Sequence, residues 1–123
     1  MLCAMGPRAI PVSTAIRGGD RRVVFALGHG RETLVRLRQQ PAAALCILAP
    51  GIALTAYGSA VVIREELTAA PHVAALALEV TEIQDHLEGS RTELLAAARW
   101  RWTEDDAADD ERRIAAELRE LAA

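Results

Sequence analysis

The chain has 123 residues, of which 51% are hydrophobic and 25% are charged, as expected of one globular domain and not of a disordered segment. Its net charge of −3 argues against a nucleic-acid partner, which would require a basic surface. All 14 basic residues are arginines, which suggests a GC-rich bacterial source. Aromatic residues make up only 3% of the chain, so the core must be built from aliphatic side chains.

The first part of the chain is predicted to form short strands. A strand at "LCAM" is followed by a turn at Gly6-Pro7 and by a second strand, "AIPVSTAI". Glycines at Gly18-Gly19 predict a hairpin to a third strand, "RRVVFAL", which ends at a Gly-His-Gly corner. Leu34 and Leu37 have helical spacing and predict a short helix over residues 31–40, ended by Pro41.

The next segment, residues 42–63, carries no charge over a length that could span a bilayer. Pro50-Gly51 lies in its middle and favours a turn, so we predict two strands there and no membrane partner. A further strand is predicted at "VAALALEVTEI", after a connector over residues 65–72. Because "MLCAMGPR" lacks the features of a signal peptide, we expect a cytoplasmic protein.

Residues 91–102, "RTELLAAARWRW", are ambiguous in pattern. Ser90 and Glu93 have the spacing of a capping box, which favours a helix, whereas period-two alternation up to Trp102 favours a strand, and we prefer the strand. In the tail, Thr103 and Asp106 form a second capping-box pattern, which predicts a C-terminal helix over residues 103–121.

These elements predict a mainly β fold in a single domain, residues 1–123. The barrel occupies residues 1–102 and has six or seven antiparallel strands, with a short helix after the third strand and the C-terminal helix packed outside it. Small barrels of this kind often bind ligands at their mouths or between subunits.

The Gly-His-Gly corner is the main candidate for a binding site. Gly28 and Gly30 permit close backbone approach, and the following helix would direct unpaired N–H groups toward an anion. Arg31, Thr33 and Arg36 add a guanidinium, a hydroxyl and a second guanidinium within the next turns. The corner therefore fits a phosphate, although Glu32 beside it would repel one, and the alternative is an ordinary tight turn with a solvated arginine.

The cysteines and histidines show no spacing typical of metal ligands, so we predict no metal site. Cys3 and Cys46 lie in apolar strand-like runs and are expected to be buried free thiols. His29 could act as an acid or base but is more typical of a turn residue, and His86 is expected at a solvated strand end. No catalytic residue is assigned.

The order of these motifs resembles the pyridoxamine 5′-phosphate oxidase-like, flavin-binding split barrels. The match covers residues 1–87, where a strand and a glycine-containing corner precede "TLVRLRQQPAAALCIL", and where "LTAYGSAVVI" resembles a later family strand. The matching positions are Leu37, Pro41, Ala44, Leu45, Gly58 and Ala60. The segment that holds the substrate phosphate in the oxidases themselves has no recognisable equivalent, so that activity is not predicted.

The resemblance implies a split-barrel homodimer with an FMN site in each half of the interface. The flavin ring would lie along the second strand near Val12, Ser13 and Thr14. The phosphate would lie over residues 28–33, close to Ala26 and Leu27.

The resemblance also implies that groups from the other subunit cover the flavin ring. Trp100 or Trp102 could do so by stacking, and ordinary core or dimer packing is the alternative for both. The expected function is a two-electron oxidoreductase that acts on an unidentified small molecule.

This sequence differs from the family pattern at the phosphate-binding positions, and these differences favour alternative functions. The family's phosphate-binding Arg-Lys pair falls on Glu32 and Thr33, which favours a degenerate split-barrel dimer that binds no flavin and serves as a binding or structural module. A deazaflavin is a further alternative, and a haem is a weaker one, since it would need His29 or His86 as an axial ligand.

Overall fold

The computed structural model describes residues 1–6, 8–12 and 14–123. Its strands are β1 (Leu2–Ala4), β2 (Arg8–Ile10), β3 (Ala15–Arg17), β4 (Arg22–Gly28), β5 (Ala42–Ala49), β6 (Ile52–Arg64) and β7 (Val73–Asp85). Its helices are α1 (Glu32–Gln39) and α2 (Asp105–Ala122).

All strand pairs are antiparallel and form one seven-stranded sheet in the order β2-β1-β5-β6-β7-β4-β3. The sheet curls into a half-barrel, with α1 and α2 packed against it. The mainly β architecture with a short helix and a C-terminal helix is therefore confirmed. The two edge strands, β2 and β3, are consecutive in sequence, so the chain passes from one edge of the sheet to the opposite edge between them. We call the described residues of this connection, Pro11, Val12 and Thr14, the crossing segment.

The crossing segment divides the second predicted strand. Pro11 directly follows β2, and proline has no N–H with which to continue a ladder of backbone hydrogen bonds. The run "AIPVSTAI" is therefore two strands on opposite edges, and the short helix follows the fourth strand and not the third. Ser13 lies outside the described residues.

The uncharged run forms a hairpin, as predicted from Pro50-Gly51. β5 and β6 pair from Ala49↔Ile52 to Ala42↔Ser59, and Gly51 has φ of 72°, a conformation that favours glycine. In the part of the chain that the structure describes, no helix combines the length and the apolar character needed to cross a bilayer.

The sheet buries both of its faces over much of its area. The inner face and α1 form one core that contains Phe25, Leu34, Leu37 and Leu76. The outer face of β4 and β7 forms a second core with α2, through Leu118. Residues 74–78 of β7 are fully buried because they contribute to the two cores alternately.

A single carboxylate fixes α2 to the connector between β6 and β7. Glu117 is 8% exposed and accepts hydrogen bonds from the backbone N–H groups of Thr68 (2.9 Å) and Ala69 (2.8 Å) and from Arg64 Nη1 (3.1 Å). Burial raises the pKa of Glu117, but the two amide hydrogen bonds and Arg64 outweigh it and hold the pKa below its usual value.

Residues 91–102 form neither the preferred strand nor a helix. The apolar side chains of this segment do not pack against the rest of the chain, since Leu95 is 77% exposed and Trp100 is 61% exposed. One backbone hydrogen bond, from Gly51 N–H to the Leu94 carbonyl (2.8 Å), joins this segment to the β5–β6 turn. Trp100 and Trp102 pack edge to face, with ring centroids 5.2 Å apart.

Two smaller predictions were also wrong. The C-terminal helix begins at Asp105, with Glu104 at the N-cap and no side-chain cap, so Thr103 does not cap it. Cys3 is exposed and Cys46 is only half-buried, although both are free thiols. Side chains alternate along a strand, and here the neighbouring Leu2 and Leu45 take the buried positions.

Candidate functional site

A cavity of about 170 Å³ lies between the crossing segment, the end of β4 and α2. The crossing segment forms one wall and the last residues of β4 form another. Arg31, from the Gly-His-Gly corner, and Glu111, from α2, also line the cavity. The lining residues that the sequence had predicted to bind a cofactor are Val12, Thr14, Ala26, Leu27, Gly28 and Arg31.

These six residues meet because of the sheet order. β3 pairs with β4, so the crossing segment that leads into β3 approaches the part of β4 that precedes the corner. Ala15 pairs with Phe25, which brings Thr14 beside Ala26. The candidate ring-binding residues and the candidate phosphate-binding residues therefore share one cavity.

Other predicted residues lie elsewhere. Thr33 is 4% exposed and does not line the cavity. Arg36 is also outside the cavity and pairs with Glu32, at 3.2 Å from Nη2 to Oε1. Ser13 is not among the described residues, and its position relative to the cavity is not assigned.

Glu32 is neutralised by two arginines. Its Oε1 accepts hydrogen bonds from Arg8 Nη2 at 2.7 Å and from Arg36 at 3.2 and 3.3 Å. Arg8 belongs to β2, which the fold brings against the start of α1 from a distant part of the sequence. The carboxylate expected to repel a phosphate is thus held in an ion-pair cluster and is not among the cavity residues.

Arg31 is the exposed basic residue of the cavity. Its backbone N–H donates to the Gly28 carbonyl (3.0 Å), which closes the corner, and its own carbonyl accepts from Leu34 N–H (3.1 Å). Within residues 1–6, 8–12 and 14–123, its guanidinium makes no hydrogen bond or salt bridge. It occupies the N-cap of α1, which has no side-chain cap, so the guanidinium can bind an anion without breaking an existing pair.

The corner glycines are not required by unusual backbone angles. Neither Gly28 nor Gly30 has positive φ. A Cβ at Gly28 would lie 3.9 Å from Arg31 Cγ, an ordinary contact distance, and a Cβ at Gly30 would have nothing within 4 Å. Gly28 contributes instead by having no side chain, so that its backbone lines the cavity directly.

Glu111 is the polar residue of the cavity that the sequence prediction missed. Its Oε1 is buried, and it has no hydrogen-bond partner among the described residues. A pattern in the tail could have found it. Glu111 stands three residues before Ile114 and seven before Leu118, so a carboxylate shares the helix face that was predicted to be apolar.

The histidines make structural contacts. His29 Nε2 donates to the Glu65 carbonyl at 2.6 Å, and its backbone N–H donates to the His72 carbonyl at 2.9 Å. His86 Nε2 shares a hydrogen bond of 2.7 Å with Thr55 Oγ1. No catalytic role is assigned to His29 or His86 from these contacts.

A double hydrogen bond joins α1 to the connector that His29 contacts. Arg38 donates to both carboxylate oxygens of Glu65, at 2.9 and 2.6 Å. This pairing lowers the pKa of Glu65 and raises that of Arg38. Among the side chains that the structure describes, no three histidines, cysteines or acidic residues are arranged to hold a metal ion.

A second, larger cavity of about 480 Å³ opens at the other end of the half-barrel. Its walls are mostly apolar and include Ile47, Leu54 and Val80. None of the predicted cofactor-binding residues that the structure describes lines it. Two arginines line it, and both are paired: Arg17 with Asp20 at 2.9 Å and Arg22 with Glu79 at 3.3 Å.

The chain matches no known family model, and no curated protein shows significant sequence similarity to it. Assignments of function therefore depend on the residues and geometry described above.

Proposed function

We propose that this chain is a flavin-binding split barrel of the pyridoxamine 5′-phosphate oxidase-like family, which binds FMN and carries out two-electron redox chemistry on a small molecule. The proposal is supported chiefly by the 170 Å³ cavity, which contains both the residues expected near the ring, Val12 and Thr14, and those expected near the phosphate, Gly28 and Arg31. The curled antiparallel half-barrel is the fold that the resemblance implies.

The cavity fits one part of FMN better than the whole molecule. Pockets that enclose a complete drug-sized ligand usually have roughly 300–1,000 Å³, and this cavity has about 170 Å³. Arg31 would hold the phosphate by charge-assisted hydrogen bonds, and the side-chain-free backbone at Gly28 would let it approach closely. The ring would then extend along the crossing segment, outside the enclosed volume.

The bound FMN would supply the electron-transfer chemistry, and the protein residues would position it and exclude water. Thr14 offers a hydroxyl group to the polar edge of the ligand, while Val12 and Ile114 provide apolar walls.

A homodimer is part of the same proposal. Several large apolar side chains are exposed in the single chain, among them Leu48, Ile52, Val61, Ile83 and Trp100. Exposed apolar groups of this kind are typical of surfaces that are covered in an assembly. A second copy would cover the part of the ring that the small cavity leaves open, and Trp100 or Trp102 is the candidate for stacking on it.

The test is the visible absorption spectrum of the purified protein before and after addition of FMN and removal of the excess by desalting. Flavin bands that remain with the protein are expected. A single near-violet band of a deazaflavin, or the sharp Soret band of a haem, would retain a cofactor role but change its identity. A colourless protein that leaves FMN in the small-molecule fraction would refute the proposal.

The second candidate function is a dimeric binding or structural module without flavin. The observation that favours it is Glu111, because a carboxylate that lines the cavity repels a phosphate. Under this alternative, the protein remains colourless, and Arg31 and Glu111 serve another ligand or none.

A further inference from the structure

The sulfur-containing residues of the chain are concentrated on one pair of strands. The sequence has two cysteines and two methionines. Met1, Cys3 and Met5 occupy every second position in and beside β1, and Cys46 lies in β5. Because β1 and β5 pair antiparallel, the fold brings residues more than 40 positions apart in the sequence, Cys3 and Cys46, onto neighbouring strands.

The strand register places three of these residues on the same face of the sheet. Leu2 and Leu45 are paired with each other, and both are buried in the core of the inner face. Side chains alternate along a strand, so Met1, Cys3 and Cys46 point to the outer face. Helix α2 packs on the outer face of β4 and β7, and Cys3 is exposed. The three sulfurs therefore share a surface that an ion in solution can reach.

The spacing of the three residues suits a metal ion better than a disulfide. The backbone nitrogen of Met1 donates to the Cys46 carbonyl at 2.8 Å, and Cys46 N–H donates to the Met1 carbonyl at 2.7 Å. Residues paired in this way have Cα atoms about 5.5 Å apart, whereas Cys3 is diagonal to Cys46, a separation of about 7–8 Å. Disulfides rarely span Cα atoms more than about 7 Å apart. A metal ion adds a bond of about 2.3 Å to each thiolate and bridges the longer distance.

We propose that the thiolates of Cys3 and Cys46 and the thioether of Met1 form a three-sulfur binding site for Cu(I). Thiolate and thioether ligands select this soft ion. Structural zinc sites use four cysteine, histidine or carboxylate ligands, and the described residues hold no group of even three of these. Binding releases the thiol protons to solvent. None of the three residues lines the cavity proposed for FMN, so the site is independent of the proposed function.

The sequence prediction of no metal site considered cysteines and histidines and left out the thioethers. In the structure, the imidazole of His86 is beside the strand that neighbours Cys46. Thr55 pairs with Cys46 across β5 and β6, and Thr55 Oγ1 shares a hydrogen bond of 2.7 Å with His86 Nε2. This ring nitrogen is already hydrogen-bonded, so we expect sulfur ligands only.

The test is an anaerobic titration of the reduced protein with Cu(I), in competition with a chromogenic Cu(I) chelator. One equivalent of Cu(I) per chain is expected to bind. Cys3→Ser and Cys46→Ala should each weaken binding by more than roughly a hundredfold, which is the upper end of the cost of changing a residue behind the ligands. Met5→Leu is the matched control, because Met5 is an exposed methionine on the far side of Cys3 from Cys46. Unchanged binding by either cysteine variant, or an equal loss for Met5→Leu, would overturn the inference.

X-ray absorption at the copper edge identifies the ligand atoms. In protein that carries selenomethionine, a copper–selenium distance is expected beside the copper–sulfur distances. It should persist in Met5→Leu, because Met1 supplies the selenium. Loss of the selenium signal in that variant, or a copper–nitrogen distance that disappears in His86→Gln, would overturn the ligand set. Tighter binding of Zn(II) than of Cu(I) would overturn the assignment of the metal.

Thermal unfolding separates a lost ligand from a damaged fold. Cys3 is exposed, so Cys3→Ser without metal is expected to keep the melting temperature of the unmodified chain. Saturating Cu(I) should raise the melting temperature of the unmodified chain and of Met5→Leu, but not that of Cys3→Ser. A rise of the same size in Cys3→Ser would show that Cu(I) binds elsewhere and would also overturn the inference.

Discussion

Replacement of Arg31 by alanine is the most direct test of the cavity as an anion site. The side chain lines the cavity and makes no ion pair with the residues described, so its removal leaves no broken partner behind. A hydrogen bond to a charged group contributes about 1.5–3 kcal/mol. Since Arg31 is exposed, solvent screening places the expected loss at the lower end, about 1.5 kcal/mol or roughly tenfold in Kd.

Arg36→Ala is the matched control for Arg31→Ala. Both are arginines of the same short segment and both were candidates from the sequence, but Arg36 lies outside the cavity and is paired with Glu32. We expect unchanged FMN affinity for Arg36→Ala, with a stability change within about 1 kcal/mol.

The assay is quenching of flavin fluorescence at two salt concentrations. The Arg31 contribution should shrink at high salt, because it acts between exposed charges. Equal losses for the two variants would mean that only net charge matters, and no loss for Arg31→Ala would refute the role of Arg31.

The remaining predictions concern stability. Glu117→Ala leaves the backbone N–H groups of Thr68 and Ala69 without their acceptor and should cost about 1.5–3 kcal/mol in urea unfolding; a loss under about 1 kcal/mol would contradict this interpretation. The pKa of Glu117 is lowered on folding, so its contribution is complete above the ordinary carboxyl pKa of about 4.3 and disappears as pH falls through the lowered value. Unfolding at pH 7 and at pH 3 should therefore show a smaller acid loss for Glu117→Gln than for the unmodified chain. Gly58→Ala should destabilise by about 1–3 kcal/mol or more, since its Cβ would lie 1.9 Å from the Glu79 carbonyl oxygen, whereas Gly30→Ala, with open space around it, should not.

The sequence correctly predicted the turns and helices whose formation depends on residues close together in the chain. The turn at Pro50-Gly51 and the helix with Leu34 and Leu37 depend on residues close in sequence, and both are present in the structure. The segment over residues 91–102 could not be settled in this way. Its alternation favours a strand only if a neighbouring strand and a covered face are available, and the fold of the single chain supplies neither.

The position of the second predicted strand also lay beyond local patterns. Pro11 marks the interruption, but no pattern within ten residues shows that β2 and β3 belong to opposite edges of the sheet. That arrangement follows from the pairing of β1 with β5 and of β4 with β7, which joins residues 39 to 57 positions apart. The same arrangement places Val12 and Thr14 beside the corner, so the cavity itself is a product of long-range pairing.

The charges of residues adjacent in sequence do not predict whether the corner can bind an anion. In the sequence, Arg31 and Arg36 are positive and Glu32 between them is negative. In the fold, Arg8 and Arg36 neutralise Glu32, and Arg31 remains available. Glu111, eighty residues away, supplies the negative charge that the cavity does contain. The departure of Glu32 from the family's basic pair therefore bears less on phosphate binding than the presence of Glu111 in the cavity.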